Sequence, residues 1–266
     1  MSCPPLRITF LGTGTSSGVP MIGCECAVCT SPDKKDKRFR SSILVQSDTT
    51  TLVVDAGPDF RCQMLRHKVK RLDAVILTHS HKDHIAGMDD MKAYNYFTRK
   101  AMKVYADTLT EAAVRRDFYY AFADMKYPGI PEFEINNISA IPFTVGDIPV
   151  IPVEVLHLNM PVLGFRFGKF TYITDANFID ESEKMKIRGS EVMVLNALRK
   201  EKHISHFNLQ EAVDLVRELD VPTAYLTHIS HQLGRHALVE TELPLGIHLA
   251  FDGLLLQFDE ETLPRR

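Results

Sequence analysis

No stretch of this 266-residue chain approaches the run of about 20 apolar residues that crosses a bilayer, so no membrane-spanning helix is expected. The opening residues Met1-Ser2-Cys3-Pro4-Pro5 lack the basic start and apolar run of a secretory signal, and a cytoplasmic protein is expected. Neither sign of charge dominates: Lys and Arg number 31, Asp and Glu 34, for a net charge of −3. That balance carries no strong nucleic-acid signal and none for an anionic membrane. No repeat, low-complexity tract or interdomain linker interrupts the chain, which points to a single domain over 1–266. Cysteines are few and odd in number, five in all, and three fall within six positions. In a reducing compartment that spacing favours a metal site over disulfides. A chain of this length buries roughly 70–75% of its unfolded surface and needs no cross-links to hold a core.

What is present is strand-forming sequence in two batches. Runs rich in Val and Ile recur at 7–11, 42–45, 51–54 and 74–77, and again at 150–155, 163–167, 171–173, 192–195, 224–226 and 254–258. Helical periodicity appears at 108–118 and 208–219. In the second, Leu209, Ala212, Val213, Val216 and Leu219 share one face behind Asn208 as N-cap. Strands interspersed with helices in this way suit a layered α/β sandwich, two sheets inside and helices outside. The stretch at about 94–135 departs from that rhythm. It carries Tyr94, Tyr96, Phe97, Tyr105, Phe118, Tyr119, Tyr120, Phe122, Tyr127 and Phe133, and reads as an aromatic-rich helical insert packed on the core. The alternative is a lid or a homodimer surface, where aromatics are enriched.

The chemistry is concentrated in Thr78-His79-Ser80-His81-Lys82-Asp83-His84, which directly follows the apolar run Ala74-Val75-Ile76-Leu77. His79 and His81 alternate as strand neighbours do and point to one side. Asp83 and His84 come where the chain turns into a helix. Imidazole and carboxylate groups at this density read as metal ligands. Asp55, His157, Asp175 and His228 each follow an apolar strand, so they can converge on one edge of the sheets. Cys24, Cys26 and Cys29 place three thiols in one tight loop, a number that favours a closed tetrahedral zinc site and requires a fourth ligand.

Phe10-Leu11-Gly12-Thr13-Gly14, Val54-Asp55-Ala56-Gly57, the histidine motif, Asp175 and His228 together resemble the ordered motifs of the metallo-β-lactamase superfamily. Gly18-Val19-Pro20, the cysteine loop and Leu226-Thr227-His228-Ile229-Ser230-His231-Gln232 are most similar to the cyclic ribosyl-phosphate phosphodiesterase of phosphonate catabolism. The resemblance implies a four-layer αββα sandwich. It implies one metal on His79, His81 and His157, a second on Asp83, His84 and His228, and Asp175 bridging them. Asp55 would orient a ligand, and His231 would complete the cysteine site as a structural zinc. His206 would protonate the leaving oxygen, so His206, Asp83 and Asp55 are the residues expected to carry the reaction alongside the ions. Nitrogen and carboxylate ligands suit Zn²⁺ or Mn²⁺. Two such ions can share a hydroxide for attack on phosphorus.

The expected activity is hydrolysis of a small cyclic or nucleotide-like phosphodiester. A tRNA 3′-end-processing endonuclease is the alternative within the same fold, but such enzymes carry a long glycine- and proline-rich arm that this sequence lacks. A metal-stabilised binding protein without turnover is the alternative outside enzymes; the full ligand set and His206 weigh against it.

Overall fold

A computed structural model describes residues 3–124 and 128–259. The first half supplies strands β1 (Leu6–Gly12), β2 (Ser42–Gln46), β3 (Thr51–Val54), β4 (Ala74–Ile76), β5 (Met102–Ala106) and β6 (Phe133–Asn137). Among them lie helices α1 (Phe60–Arg66), α2 (Lys82–Ile85), α3 (Lys92–Thr98) and α4 (Thr108–Asp117). The second half supplies β7 (Phe143–Val145), β8 (Ile148–His157), β9 (Met160–Phe167), β10 (Phe170–Tyr172) and β11 (Val192–Asn196). It continues with β12 (Thr223–Thr227), β13 (Ile247–Leu249) and β14 (Leu255–Phe258). Its helices are α5 (Glu181–Ile187), α6 (Leu209–Glu218) and α7 (His236–Glu240). None of the described helices is long and apolar enough to cross a membrane.

Two seven-stranded sheets result, in the orders β14-β1-β2-β3-β4-β5-β6 and β13-β12-β11-β10-β9-β8-β7. The period-2 alternation of side chains decides the layering. Ile43 and Val45 of β2 face the second sheet, in one cluster with Phe10, Val54, Ile76, Phe165, Phe170 and Tyr172. Leu44 between them points outward to a second cluster, where Val53 and Val75 meet Phe60, Met64, Ile85 and Val114 of the helices. On the far side Val153, Ile173, Leu195 and Leu226 pack on Ile187, Ala212, Val216 and Val239. This is the expected αββα sandwich. α6 carries a capping box: Glu211 N–H donates to Asn208 Oδ1 at 2.9 Å, and Asn208 N–H donates to Glu211 Oε2 at 3.0 Å.

The aromatic stretch is built differently from the helical insert that its composition suggests. It contributes α3 and α4, but also β5 and β6, which extend the first sheet in parallel beyond β4. Tyr105 stacks on Phe143 at 5.4 Å, and Phe118 meets Phe133 edge-on at 6.1 Å, so much of the aromatic content is ordinary packing around a sheet edge. Tyr96, Phe97 and Tyr119 remain exposed. Tyr127 lies outside the described residues.

In the parallel runs β3-β4-β5-β6 and β10-β11-β12-β13, strands β3, β4, β5, β10, β11 and β12 end on loops that lead into helices. Side chains at those carboxyl ends face a common crevice, the usual place for a ligand in open α/β sheets. Main-chain hydrogen bonds help to pin α2 there. Ala56 N–H donates to the His84 carbonyl at 2.7 Å, and Gly87 N–H donates to the Ala56 carbonyl at 2.8 Å. A Cβ on Gly57 would stand 1.9 Å from the Asp83 carbonyl oxygen, so only glycine fits. Gly57→Ala is expected to push α2 away and to cost about 1–3 kcal/mol, the usual penalty for overpacking. Chemical denaturation measures it; an unchanged midpoint would mean that α2 moves aside freely.

Candidate metal centre and active site

β4 ends at Ile76, and the chain then releases His79 and His81 into the crevice before α2 lifts Asp83 and His84 beside them. His79 and His84 are fully buried. His79 Nε2 lies 3.1 Å from His81 Nδ1, and their rings meet edge-on at 4.7 Å. His157, the last residue of β8, brings its ring to 5.1 Å from His81 and 5.9 Å from His79. Asp175 follows β10 and His228 follows β12, with His228 Nδ1 3.1 Å from Asp175 Oδ2. One ligand atom each from Asp83, His84, Asp175 and His228 falls within 4.8 Å of the others.

Three of the rings are aimed by a partner behind them. His84 Nδ1 donates to Asp55 Oδ2 at 2.7 Å. Thr78 Oγ1 donates to Asp55 Oδ2 at 2.9 Å and so accepts from His79 Nδ1, also at 2.9 Å. His157 Nδ1 donates to the Ser205 carbonyl at 2.7 Å. Such contacts fix the tautomer and leave Nε2 of all three rings as a lone pair facing the crevice. Asp55 makes no approach to the crevice itself; it is the hub that holds His84 and, through Thr78, His79.

Backbone strain marks the same places. Asp55, Asp175 and His228 all take left-handed conformations, with φ of 64°, 55° and 55°. A non-glycine residue held there costs on the order of 1–3 kcal/mol and persists where the surroundings over-determine it. Glycine would relieve that cost but would remove the carboxylate or the imidazole.

The donor set fits a cation. His84 Nε2 is buried, has no hydrogen-bond partner, and faces Asp83 Oδ2 at 3.1 Å and Asp175 Oδ2 at 3.2 Å. Three electron-rich atoms converging away from water repel one another unless positive charge lies between them. The protonation of the site says the same. Burial pushes the His84 imidazole down, but the carboxylates of Asp175, Asp55 and Asp83 outweigh it and raise the ring well above its ordinary value. Burial likewise pushes the Asp83 carboxyl up, and the His84 charge reverses it to well below the usual carboxylate range. A proton on His84 is the minimal cation the geometry accepts; a divalent ion satisfies more of the donors at once.

His206 sits just ahead of the α6 cap, its ring 4.6 Å from His157 and 4.9 Å from His228. Its Nδ1 is buried without a hydrogen bond, 3.9 Å from Asp175 Oδ1. Burial, followed by the neighbouring His228, pushes the ring down to about 3. An anion brought against this ring supplies the opposite charge and favours its protonated form.

At the crevice rim the Cys24, Cys26, Cys29 and His231 ligand atoms lie within 4.8 Å of one another. His231 Nδ1 is 3.2 Å from Cys24 Sγ and 3.4 Å from Cys26 Sγ, and all three thiols are free. Cys26 accepts the Cys29 N–H and lies against His231, which lowers its thiol to about 6 and favours the thiolate. Burial raises the Cys29 thiol to about 11. The loop pairs also through main chain, Thr15 N–H donating to the Ile229 carbonyl at 3.1 Å.

Residues 50–229 match the family model described as the beta-lactamase superfamily domain. The chain belongs to that superfamily. A diphosphatase of the PhnP family, known from its crystal structure, is 37% identical and superposes with a TM-score of 0.90 over 97% of this chain and 99% of that one. The octanoyltransferase of Porphyromonas gingivalis is 35% identical over 261 residues, 97% of this chain. This chain spans 53% of that relative's length, so about half of the relative has no counterpart here. Zn²⁺-bound PqqB of Methylobacterium extorquens, 20% identical, shares the fold with a TM-score of 0.73, covering 94% of this chain and 99% of that one.

The structure gathers at one crevice His79, His81, Asp83, His84, His157, Asp175, His206 and His228, puts Asp55 behind them, and brings His231 to the cysteines. The sequence reading took in Thr78 only as part of the histidine motif and gave no role to its hydroxyl or to the carbonyl of Ser205, which leaves no trace in residue identity. Cys26→Ser is expected to lower the melting temperature and to remove one zinc per chain, because metal-binding energy at such a loop is folding energy. Elemental analysis decides: an unchanged zinc content would dismiss the cysteine site.

Proposed function

We propose that this chain is a phosphodiesterase acting on a small phosphodiester or diphosphate diester. The observation that carries the reading is the position of Asp175. Its Oδ2 lies beside His84 and His228, its Oδ1 faces His206, and all of it is buried. On this reading His79, His81 and His157 hold one divalent ion, Asp83, His84 and His228 hold a second, and Asp175 is shared. Such ions, Zn²⁺ or Mn²⁺ by the chemistry of the donors, would polarise a phosphoryl oxygen and lower the pKa of a bound water when present. A third ion, zinc, ties Cys24, Cys26 and Cys29 to His231. Reduced thiols of this kind go with a cytoplasmic setting.

The residues divide the remaining work. Asp55 holds His84 and Thr78, and Thr78 holds His79, so that three groups reach the crevice already oriented. His206 stands outside the ligand set and next to Asp175, where it can donate a proton to the oxygen that leaves phosphorus. Hydrolysis adds the elements of water: the water oxygen bonds to phosphorus and releases a proton to solvent, the ester P–O bond breaks with its electron pair on the leaving oxygen, and a proton from His206, protonated beside the anionic substrate and recharged from solvent, completes the alcohol. The diphosphatase neighbour supports the choice of phosphoric substrates over others open to this fold.

Hydrolysis of bis-(p-nitrophenyl) phosphate by the metal-loaded protein, lost in chelator and restored by Zn²⁺ or Mn²⁺, is the direct test. His206→Ala is expected to keep the metal content and slow turnover of an alkyl phosphodiester by about 10²–10⁴-fold, the range for a lost general acid. The nitrophenyl ester, whose leaving group needs little protonation, should suffer much less. Equal losses on both substrates would reassign His206 to binding.

A further inference from the structure

Beside His206 lies a second polar group that the chemistry above leaves idle. The ring of His203 is 5.2 Å from that of His206. Its Nδ1 accepts the Ser205 N–H at 3.4 Å and lies 3.3 Å from the Ser205 hydroxyl. That arrangement puts the ring proton on Nε2, which makes no hydrogen bond to another described residue. His203 thus presents a neutral N–H donor next to the site of leaving-group departure.

Arg199 stands against the same loop. Its Nη1 donates to Gln232 Oε1 at 3.0 Å and its Nη2 to the Lys202 carbonyl at 3.0 Å, while Nε is buried with no partner. Both acceptors are neutral. An arginine fixed by neutral acceptors keeps its full charge for an anion, and its planar fork suits phosphate. The guanidinium is close enough to His203 for its charge to bear on that ring. Gln232 adjoins His231, so the loop that orients Arg199 is the loop that carries the fourth ligand of the cysteine site.

We infer that His203 and Arg199 form an anion subsite for a second phosphoryl group, so that the preferred substrate is a diphosphate diester cleaved at its bridging oxygen. The inference rests on the phosphodiesterase reading. The water oxygen bonds to the phosphorus nearer Asp175 and releases a proton to solvent. The bridging P–O bond breaks with its electron pair on the departing phosphate monoester. His206 protonates that oxygen, while His203 and Arg199 bind the remaining phosphate oxygens and stabilise the charge that gathers there. A simple phosphodiester has no group to place in this subsite.

His203→Ala and Arg199→Met, with Arg199→Lys as the conservative control, test it in the metal-loaded protein. The readout is the ratio of kcat/KM for ADP-ribose, a diphosphate diester, to that for bis-(p-nitrophenyl) phosphate. Either variant should lower the ratio by about 10–100-fold, the cost of one lost hydrogen bond to a charged group, and the lysine should recover part of it. Calorimetry with α,β-methylene-ADP, whose bridge cannot be hydrolysed, should show binding weakened by a similar factor. An unchanged ratio with unchanged binding would overturn the subsite and leave the phosphodiesterase reading standing. Absence of turnover of bis-(p-nitrophenyl) phosphate by the parent protein would overturn that reading instead, and the binding arm alone would then decide the subsite.

Discussion

Everything at this crevice depends on one electrostatic constraint. His84 Nε2, Asp83 and Asp175 meet within 3.2 Å in a place closed to water. Unpaired, such a set would cost several kcal/mol per charge in the folded state. The fold accepts that burden at the ends of its strands, and a shared cation would remove it. The arrangement behind the ligands follows from the same need. Asp55, buried and pushed upward in pKa by its burial, finds its compensation in His84 and Thr78, and the rings of His79, His84 and His157 are tied down by a hydroxyl, a carboxylate and a carbonyl.

The sandwich is suited to this because its two sheets deliver their strand ends to the same side. Asp55 and the histidine motif come from the first sheet; His157, Asp175 and His228 come from the second. A metal held by both sheets would couple their packing, so ion binding and stability should be linked. The left-handed turns at Asp55, Asp175 and His228 redirect the chain within one residue of a buried strand. They allow a side chain at a strand end to point across the crevice instead of along the strand. The cysteine pocket does similar work at the rim, where it joins the loop after β1 to the loop after β12.

The parts of the fold written in local pattern were legible beforehand. Ile43-Leu44-Val45 and Val192-Met193-Val194-Leu195 read as strands because they are buried on both faces, and Asn208 read as a cap because its side chain competes for the first turn's N–H groups. β5 and β6 did not, because their pattern is weak: exposed Lys103 interrupts Met102-Lys103-Val104-Tyr105-Ala106, and Phe133-Glu134-Ile135-Asn136-Asn137 is mostly half exposed at a sheet edge. The side chains that converge on the crevice were legible because chemistry of that density has few other uses. The supports were not. Thr78 works through a hydroxyl whose partners are 23 residues and one residue away, and Ser205 through a carbonyl that every residue has. Those contacts exist only once the chain has folded.

The central claim is that Asp175 lies between two metal ions. Anomalous diffraction from crystals grown with Zn²⁺, collected on both sides of the zinc edge, tests it most directly. The account predicts two peaks roughly 3.5–4 Å apart, one on each side of the Asp175 carboxylate. One peak there, or two that leave Asp175 uncoordinated, would contradict it.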